Sequence, residues 1–280
     1  MKFPNKLGVF SGALRNVKAD LIRLTKNIFV GDTVDGGASV WFRKPNSDGK
    51  EIPRYREYSE EIPWDWPVSS SQTKTEGTKK NKLPVWCHCK GINMTLRCAD
   101  YASMTKGEIP WFVDPGTYKP LVNFDVCDSC RLQFGHGIVH WACVELKNLS
   151  HADGGSLPRT TAEVKAAVDV GDSVVGTLAY YRSSPGVQRY FCKVCSTSVF
   201  YACDDITEAV RSAIGLLEAP DGARAEGYLS WSLGDNLTGI NDTKGGWRGE
   251  LMRRVQADAE EFEITRNLLK SSDSLEEEAK

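Results

Sequence analysis

The cysteines of this chain constrain its fold and chemistry more than any other feature. Six of the nine lie in three short motifs, which are Cys87-His88-Cys89, Asp125-Val126-Cys127-Asp128-Ser129-Cys130 and Cys192-Lys193-Val194-Cys195. Two thiolates this close in sequence can bind one zinc ion, because a tight turn directs both sulfur atoms to the same point. An odd number of cysteines without a visible secretory signal also favours metal ligands, catalytic thiols or buried thiols over disulfides. The sequence therefore predicts a metalloprotein.

The first and third motifs together are typical of a closed structural zinc site. Cys87 and Cys89 begin one run with the pattern of a strand, and Cys192 and Cys195 link two others. Each pair is therefore expected at the turn of a hairpin, and two such turns supply the four sulfur ligands of a tetrahedral zinc ion. We expect these four cysteines to hold one structural zinc.

The middle motif supplies only three ligands, Asp125, Cys127 and Cys130. Three protein ligands with an open fourth position are typical of a catalytic zinc, where water, a thiol or a substrate binds. Soft sulfur ligands favour a thiol as that guest. Two alternatives stay open: Asp125 is a surface turn residue beside metal-free thiols, or Cys127 and Cys130 form a disulfide redox pair.

Composition argues against several classes of function. The 280 residues carry 35 lysines and arginines against 37 aspartates and glutamates, a formal charge of −2. No net basic field therefore attracts nucleic acid or an anionic membrane. The sequence also lacks the roughly 18 consecutive apolar residues of a membrane span and the apolar region of a secretory signal. We expect a cytoplasmic protein with neither nucleic acid nor membrane as a partner.

The chain divides into four predicted segments. Residues 1–67 contain neither cysteine nor histidine, and the polar residues 68–82 have the composition of a linker. Residues 83–262 contain every cysteine and histidine. Residues 263–280 end in a run rich in serine, glutamate and lysine, and we expect them to be a disordered tail.

Residues 83–262 carry mainly the pattern of strands. In one run, Ile92, Met94, Leu96 and Cys98 share one face, as in a half-buried strand. Further strands are predicted at Gly137–Leu146, Ser173–Tyr181, Val187–Phe191, Thr197–Tyr201 and Gly227–Trp231. A helix is predicted at Glu250–Phe262, whereas the helical spacing within Asp205–Leu217 gives only weak support for another. The predicted fold is mainly β with a short C-terminal helix.

A faint internal repeat links the N-terminal segment to the main domain. Gly12 and Gly31 are spaced as Gly215 and Gly234 are, and Gly36 matches Gly239 at the same offset. Chance explains so few identities about equally well. If the repeat is real, residues 1–67 are the β-rich back half of a domain whose complete copy follows.

The order of the motifs resembles one protein family. Val85–Lys90, Asn123–Gly135 and Tyr181–Tyr201 resemble the glutathione-dependent formaldehyde-activating enzymes (GFA), whose domain is also called CENP-V/GFA. The resemblance spans about residues 83–235 and implies an Mss4-like zinc-containing β fold. It also implies a structural zinc on the four cysteines and a second zinc near a glutathione site. The implied reaction of the type member adds the glutathione thiol to formaldehyde and is formally that of a carbon–sulfur lyase.

The chain departs from the family pattern at two positions. Asp125 stands where the family usually has the first cysteine of its second site, and aspartate can still bind zinc through oxygen. Ser196 stands where the family usually has a glycine. Under the same resemblance, Asn27–Trp41 and the run Ile62–Pro67 are similar to the back half of a GFA domain in fungal proteins with two tandem copies, so that residues 1–67 would be an orphan half-domain. Such an orphan half-domain would serve packing or dimerisation.

Three further side chains are candidates for the second site. His136 can act there as an acid or base because its ordinary pKa is near neutral, or it is a hydrogen-bonded structural histidine. Arg131 and Arg189 can bind the carboxylates of glutathione, or they form structural salt bridges.

These observations predict zinc-dependent activation of the glutathione thiol for addition to an electrophile, or its release from one. The reaction forms or breaks a carbon–sulfur bond. The electrophile is formaldehyde-like or a larger metabolite. The predicted catalytic residues are Cys127, Cys130, Asp125 and His136, and a homodimer is a possible assembly. The alternative is a non-catalytic binding or structural module stabilised by zinc.

Overall fold

A mainly β architecture with a C-terminal helix is what the sequence predicts, and the structure confirms it. The computed structural model describes residues 8–18, 20–67, 81–231 and 237–278, with side chains described no further than residue 266. The strands are β1 (Arg54–Tyr55), β2 (Glu61–Ile62), β3 (Lys82–Trp86), β4 (Asn93–Arg97), β5 (Val113–Asp114), β6 (Lys119–Asp125), β7 (Val139–Glu145), β8 (Leu149–His151), β9 (Leu178–Ser184), β10 (Val187–Cys192), β11 (Ser198–Cys203), β12 (Ala209–Ala213), β13 (Ser230–Trp231) and β14 (Leu237–Thr238). The α-helices are α1 (Asp128–Phe134), α2 (Thr161–Val170) and α3 (Trp247–Glu278).

The chain forms two compact units whose boundaries differ from the predicted segments. The first unit comprises Met1–Pro67, Val126–Ile138 and Ser232–Lys280, and the second comprises Val68–Asp125 and Val139–Trp231. The N-terminal segment thus shares a unit with α1 and α3. Of the predicted linker, residues 68–80 lie outside the described residues, and Lys82 is already the first residue of β3.

The second unit is built from two sheets. Its larger sheet has the strand order β13-β6-β7-β12-β11-β10-β9, and β5 also pairs with β6. Strands β13 and β6 are parallel, and the other neighbours are antiparallel. The smaller sheet has the order β3-β4-β8. Fully buried side chains such as Trp141, Tyr190 and Leu83 form the core of this unit. The hairpins β3–β4 and β10–β11 position the candidate metal ligands, because each turns at a pair of cysteines.

The alternating pattern located several strands correctly. Met94 and Leu96 are buried within β4, as their spacing predicted. The predicted strand Ser173–Tyr181 is partly wrong, since Ser173–Val175 form a 3-10 turn and β9 begins only at Leu178. Within Asp205–Leu217 the chain forms strand β12 rather than a helix, because Ala209–Ala213 pair between two other strands of the sheet.

Helix α2 was not predicted, although its start carries a clear signal. The Thr160 side chain accepts a hydrogen bond from the Glu163 backbone, and the Glu163 side chain accepts one from the Thr160 backbone. This capping box satisfies N–H groups that the first helical turn leaves without partners. The strongly β character of the surrounding sequence obscured it.

The N-terminal segment is not β-rich, contrary to the prediction. Its described residues form three 3-10 turns, Ser11–Ala13, Val30–Thr33 and Gly37–Trp41, and the two-residue strands β1 and β2. The segment packs on α3 within the first unit. The Lys44 backbone donates to Asp258 at 2.7 Å, and the Trp247 indole donates to the Arg15 carbonyl at 3.0 Å.

Helix α3 is long, not short, and contains most of the predicted tail. It spans 32 residues and ends at Glu278, so 263–278 are helical; residues 279–280 lie outside the described residues.

The faint repeat has a structural counterpart near this helix. Gly36 and Gly239 each precede a 3-10 turn and have φ values of 85° and 79°, a conformation that favours glycine. Among the described residues, none of the helices combines the length and apolarity needed to cross a membrane.

Candidate metal centre

Four cysteines converge at the turns of two hairpins in the second unit. Cys87 and Cys89 lie in the turn between β3 and β4. Cys192 is the last residue of β10, and Cys195 lies in the turn between β10 and β11. Each of the two turns is closed by an equivalent hydrogen bond between backbone groups, donated by its first cysteine. The Cys87 N–H donates to the Ile92 carbonyl at 3.1 Å, and the Cys192 N–H donates to the Thr197 carbonyl at 2.9 Å. Both turns therefore present two sulfur atoms in a similar way.

The sulfur atoms are spaced as the ligands of one ion. The sulfur of Cys89 lies 3.6 Å from that of Cys87 and 3.6 Å from that of Cys192. All four sulfur atoms, including that of Cys195, lie within 4.8 Å of one another. Tetrahedral zinc with bonds of about 2.3 Å places its sulfur ligands about 3.8 Å apart. We define these residues as the four-cysteine centre, which is able to hold a metal ion.

The thiols of this centre differ in pKa. The Thr197 hydroxyl and the backbone N–H groups of Cys89 and Thr197 lower the pKa of Cys195 to about 5. The Gly91 N–H lowers the pKa of Cys89, but desolvation and the neighbouring thiols outweigh it and raise that pKa to about 12. Negative charge is therefore favoured at Cys195 and opposed at Cys89. A divalent cation between them removes this conflict, since coordinated thiols are deprotonated.

Thr177 joins the two cysteine turns, and nothing in the sequence singles it out. Its N–H donates to the Gly91 carbonyl at 3.1 Å, and its carbonyl accepts from the Lys193 N–H at 2.9 Å. Its hydroxyl lies 3.0 Å from the sulfur of Cys192. One residue therefore contacts the backbone of both turns and one ligand.

Both turns contain a strained residue directly after their second cysteine. Lys90 and Ser196 have φ values of 58° and 61°. This left-handed region costs a side-chain-bearing residue about 1–2 kcal/mol. Ser196 thus adopts the conformation that glycine, expected there from the resemblance, adopts without strain.

Asp125, Cys127 and Cys130 form a second group, which we call the Asp-Cys-Cys group. Asp125 ends β6, Cys127 is the residue before α1, and Cys130 lies in the first turn of that helix. One ligand atom from each lies within 4.8 Å of the other two. Asp125 is 8% exposed and Cys130 is fully buried, whereas Cys127 is half-buried. Zinc accepts this mixed set of one carboxylate oxygen and two sulfur atoms, so these residues fit a metal ion.

Of the other predicted site residues, none belongs to either group of metal-ligating side chains found among the described residues. The His136 Nδ1 lies 3.1 Å from the Ile138 carbonyl oxygen, and its ring packs at 6.0 Å from that of Phe42. This is the arrangement of the structural alternative for His136.

The two predicted glutathione-binding arginines are engaged by neighbouring parts of the chain. The Arg131 Nε donates to Asp128 at 2.6 Å, and its Nη1 donates to the Gly12 carbonyl. Arg189 is 3% exposed, donates to the Ser183 hydroxyl at 2.9 Å and lies over the Tyr201 ring. Arg131 thus forms the salt bridge of its structural alternative, whereas Arg189 contacts a hydroxyl group and an aromatic ring.

Comparison with known proteins adds little to this geometry. No family model matches the chain, and no curated protein matches it. A crystal structure of a Rhodobacter sphaeroides protein is similar, with 14% identity and a TM-score of 0.29. That similarity covers 53% of this chain and 99% of the other.

Proposed function

We propose that this chain is a zinc protein of the CENP-V/GFA type with an Mss4-like fold, which activates the thiol of glutathione. One observation carries the proposal: six cysteines and Asp125 gather into two separate ligand groups, one with four sulfur atoms and one with three ligands. Four ligands complete a structural site, whereas three leave a position for a guest. The motif order described above supports the family.

In this proposal the Asp-Cys-Cys group would hold the second zinc. Zinc at such a site lowers the pKa of a bound thiol and thereby supplies a thiolate at neutral pH. Asp125 and Cys130 are buried, so Cys127 is the ligand of the group that a guest can approach most easily. The four-cysteine centre keeps the hairpins of the second unit together and takes no part in the chemistry.

The reaction is addition of a thiol to an aldehyde or a similar electrophile. The S–H bond breaks, a carbon–sulfur bond forms, and the proton ends on the former carbonyl oxygen. No oxidant or reductant is needed, so a thiol and an electrophile are sufficient. The reverse step releases both reactants.

Replacing Cys127 by alanine tests this function. We expect Cys127→Ala to lose one zinc per chain and to reduce glutathione-dependent consumption of formaldehyde by about 100-fold or more. The reason is that loss of an outer partner of a metal ligand already costs about 10–100-fold, and Cys127 is a ligand itself. Zinc is counted by elemental mass spectrometry and formaldehyde by a colorimetric assay.

The matched control is Cys98→Ala, which removes a half-buried cysteine outside both ligand groups. It is expected to retain two zinc ions and wild-type turnover. Turnover in Cys127→Ala equal to that of the wild type would exclude the proposed reaction at this group.

A non-catalytic module is the second candidate. One observation in its favour is the burial of Asp125 and Cys130, which limits access to the group. Another is that the His136 ring lies within hydrogen-bond distance of the Ile138 carbonyl and is not part of the ligand group. A wild-type chain that binds two zinc ions but shows no thiol-dependent turnover with formaldehyde or larger aldehydes would support this candidate.

A further inference from the structure

The backbone on both sides of Cys127 is held by a distant part of the first unit. The Val126 N–H donates to the Thr238 carbonyl at 2.9 Å. The Asp128 N–H donates to the Asp242 carboxylate at 2.9 Å. The residues that flank this ligand are thus fixed by the loop that leads into α3.

One buried guanidinium completes this arrangement. Arg248, in the first turn of α3, is 0% exposed. Its Nη2 donates to the Val126 carbonyl, and its Nη1 donates to the Asp128 carboxylate at 2.6 Å. The same Nη1 donates to the Asp242 carbonyl at 3.1 Å. A single planar group therefore bonds to the residue before Cys127 and to the residue after it.

Close packing limits movement of Cys127 in another direction. Gly239 has a φ of 79°, and a Cβ atom added there would lie 2.5 Å from the Cβ atom of Cys127. The loop backbone therefore lies directly against the ligand, and only glycine fits at this position.

Burying an arginine carries a substantial desolvation penalty, so its use needs an explanation. Desolvation lowers the pKa of Arg248, and the Asp128 carboxylate opposes that effect. An apolar side chain of similar volume is often as stabilising as a buried ion pair, but it cannot hold two oxygen atoms at fixed positions. The rigid fork of donors on arginine does this, and lysine does not.

We propose that Arg248 is the positioning residue of the Asp-Cys-Cys group and fixes Cys127 for metal binding. The inference rests on the metal that the proposed function assigns to this group. Bonds between a metal and its ligands tolerate errors of only about 0.2 Å, so a turn that is free to shift binds the ion less tightly. Arg248 acts on the metal through Cys127 and is not itself a ligand.

Cobalt binding to the full chain tests this proposal. Thiolate ligands give bound Co²⁺ a charge-transfer absorption that reports on each centre. We expect Arg248→Lys to bind cobalt at the four-cysteine centre as the wild type does. Its affinity at the second group should fall by about 10–100-fold, the effect of losing an outer partner of a ligand. Equal affinity at the second group in the folded variant and the wild type would overturn the proposal.

Arg54→Lys is the matched control, because Arg54 is another 0% exposed arginine of the same unit. Its guanidinium donates to the carbonyl oxygens of Pro63 and Trp66. We expect this variant to bind both cobalt ions as the wild type does. An equal loss of the second ion in both variants would show a general effect of removing a buried guanidinium and would overturn the specific role of Arg248.

Asp128→Asn keeps the proposal testable if Arg248→Lys does not fold, since half of the Asp128 side chain is exposed. It weakens one of the three hydrogen bonds that Arg248 donates and should lower second-site affinity in the same direction. Unchanged affinity would count against the proposal.

A wild-type chain that binds only one cobalt ion would instead overturn the second metal centre of the proposed function. The positioning role is then read from the rate at which iodoacetamide alkylates Cys127, followed by mass spectrometry of its peptide. We expect faster alkylation in Arg248→Lys, because the turn that carries Cys127 is then held less firmly, and equal rates would overturn the role.

Discussion

Replacing Cys192 by serine is expected to empty the four-cysteine centre and to destabilise the second unit severely. Cys192 is fully buried at the end of β10, and its sulfur lies 3.6 Å from that of Cys89 and 3.0 Å from the Thr177 hydroxyl. Structural zinc contributes about 10–16 kcal/mol of binding free energy in small zinc domains. Removing one partner of a fully buried charged group costs about 3–5 kcal/mol, and this centre falls at the lower end because Cys87 and Cys192 are buried whereas Cys89 is exposed.

We therefore expect the free energy of unfolding to fall by about 3 kcal/mol. Denaturant titration measures this fall, and elemental mass spectrometry shows the loss of one zinc. Cys203→Ser is the matched control, because Cys203 is half-buried at the end of β11 and belongs to neither ligand group. A Cys192→Ser chain with wild-type zinc content and stability would show that the centre holds no metal.

Replacing Trp141 by alanine is the second change with a large expected effect. Trp141 is 0% exposed in β7, where it pairs with Asn123 of β6 on one side and Ala213 of β12 on the other. Removing a large buried aromatic side chain costs about 3–5 kcal/mol, because the lost contacts add to the cost of the cavity. In a chain of this size each kcal/mol lowers the melting temperature by about 2–4 °C. The expected fall is about 6–20 °C, measured by thermal unfolding followed by circular dichroism.

Trp111→Ala is the control for this prediction, because Trp111 is 67% exposed. Its stability should stay within about 0.5 kcal/mol of the wild type, as for most surface substitutions. Equal losses in the two variants would contradict the placement of Trp141 in the core of the large sheet.

The sequence was most informative where the decisive interactions are local. A cysteine pair two or three residues apart belongs to one turn, so Cys87, Cys89, Cys192 and Cys195 could be assigned to hairpin turns from their spacing and the flanking strand patterns. The same holds for β4, where apolar residues at every second position predicted one buried face.

The sequence was least informative where function depends on residues far apart. Arg248 lies more than a hundred positions after Cys127, and no motif connects them. No sequence motif identifies Thr177 either, since its contacts form only when the two hairpins pack together. Helix α1 was missed because cysteine is not a usual capping residue, although the Cys127 sulfur accepts a hydrogen bond from the Cys130 N–H at 3.4 Å. Of the two arginines nearest the cysteines in sequence, Arg131 pairs with Asp128 and Arg189 contacts Ser183 and Tyr201. Glutathione binding by either arginine stays a prediction.

The zinc content of the purified chain tests the central claim most directly. The measurement is elemental mass spectrometry on protein prepared without chelator or added metal, with Cys127→Ala and Cys192→Ser beside the wild type. Two zinc ions per wild-type chain and one in each variant are the predicted result, because each substitution removes a ligand of a different group. A wild-type chain without zinc would contradict the account, and one zinc that persists in Cys127→Ala would contradict the second centre.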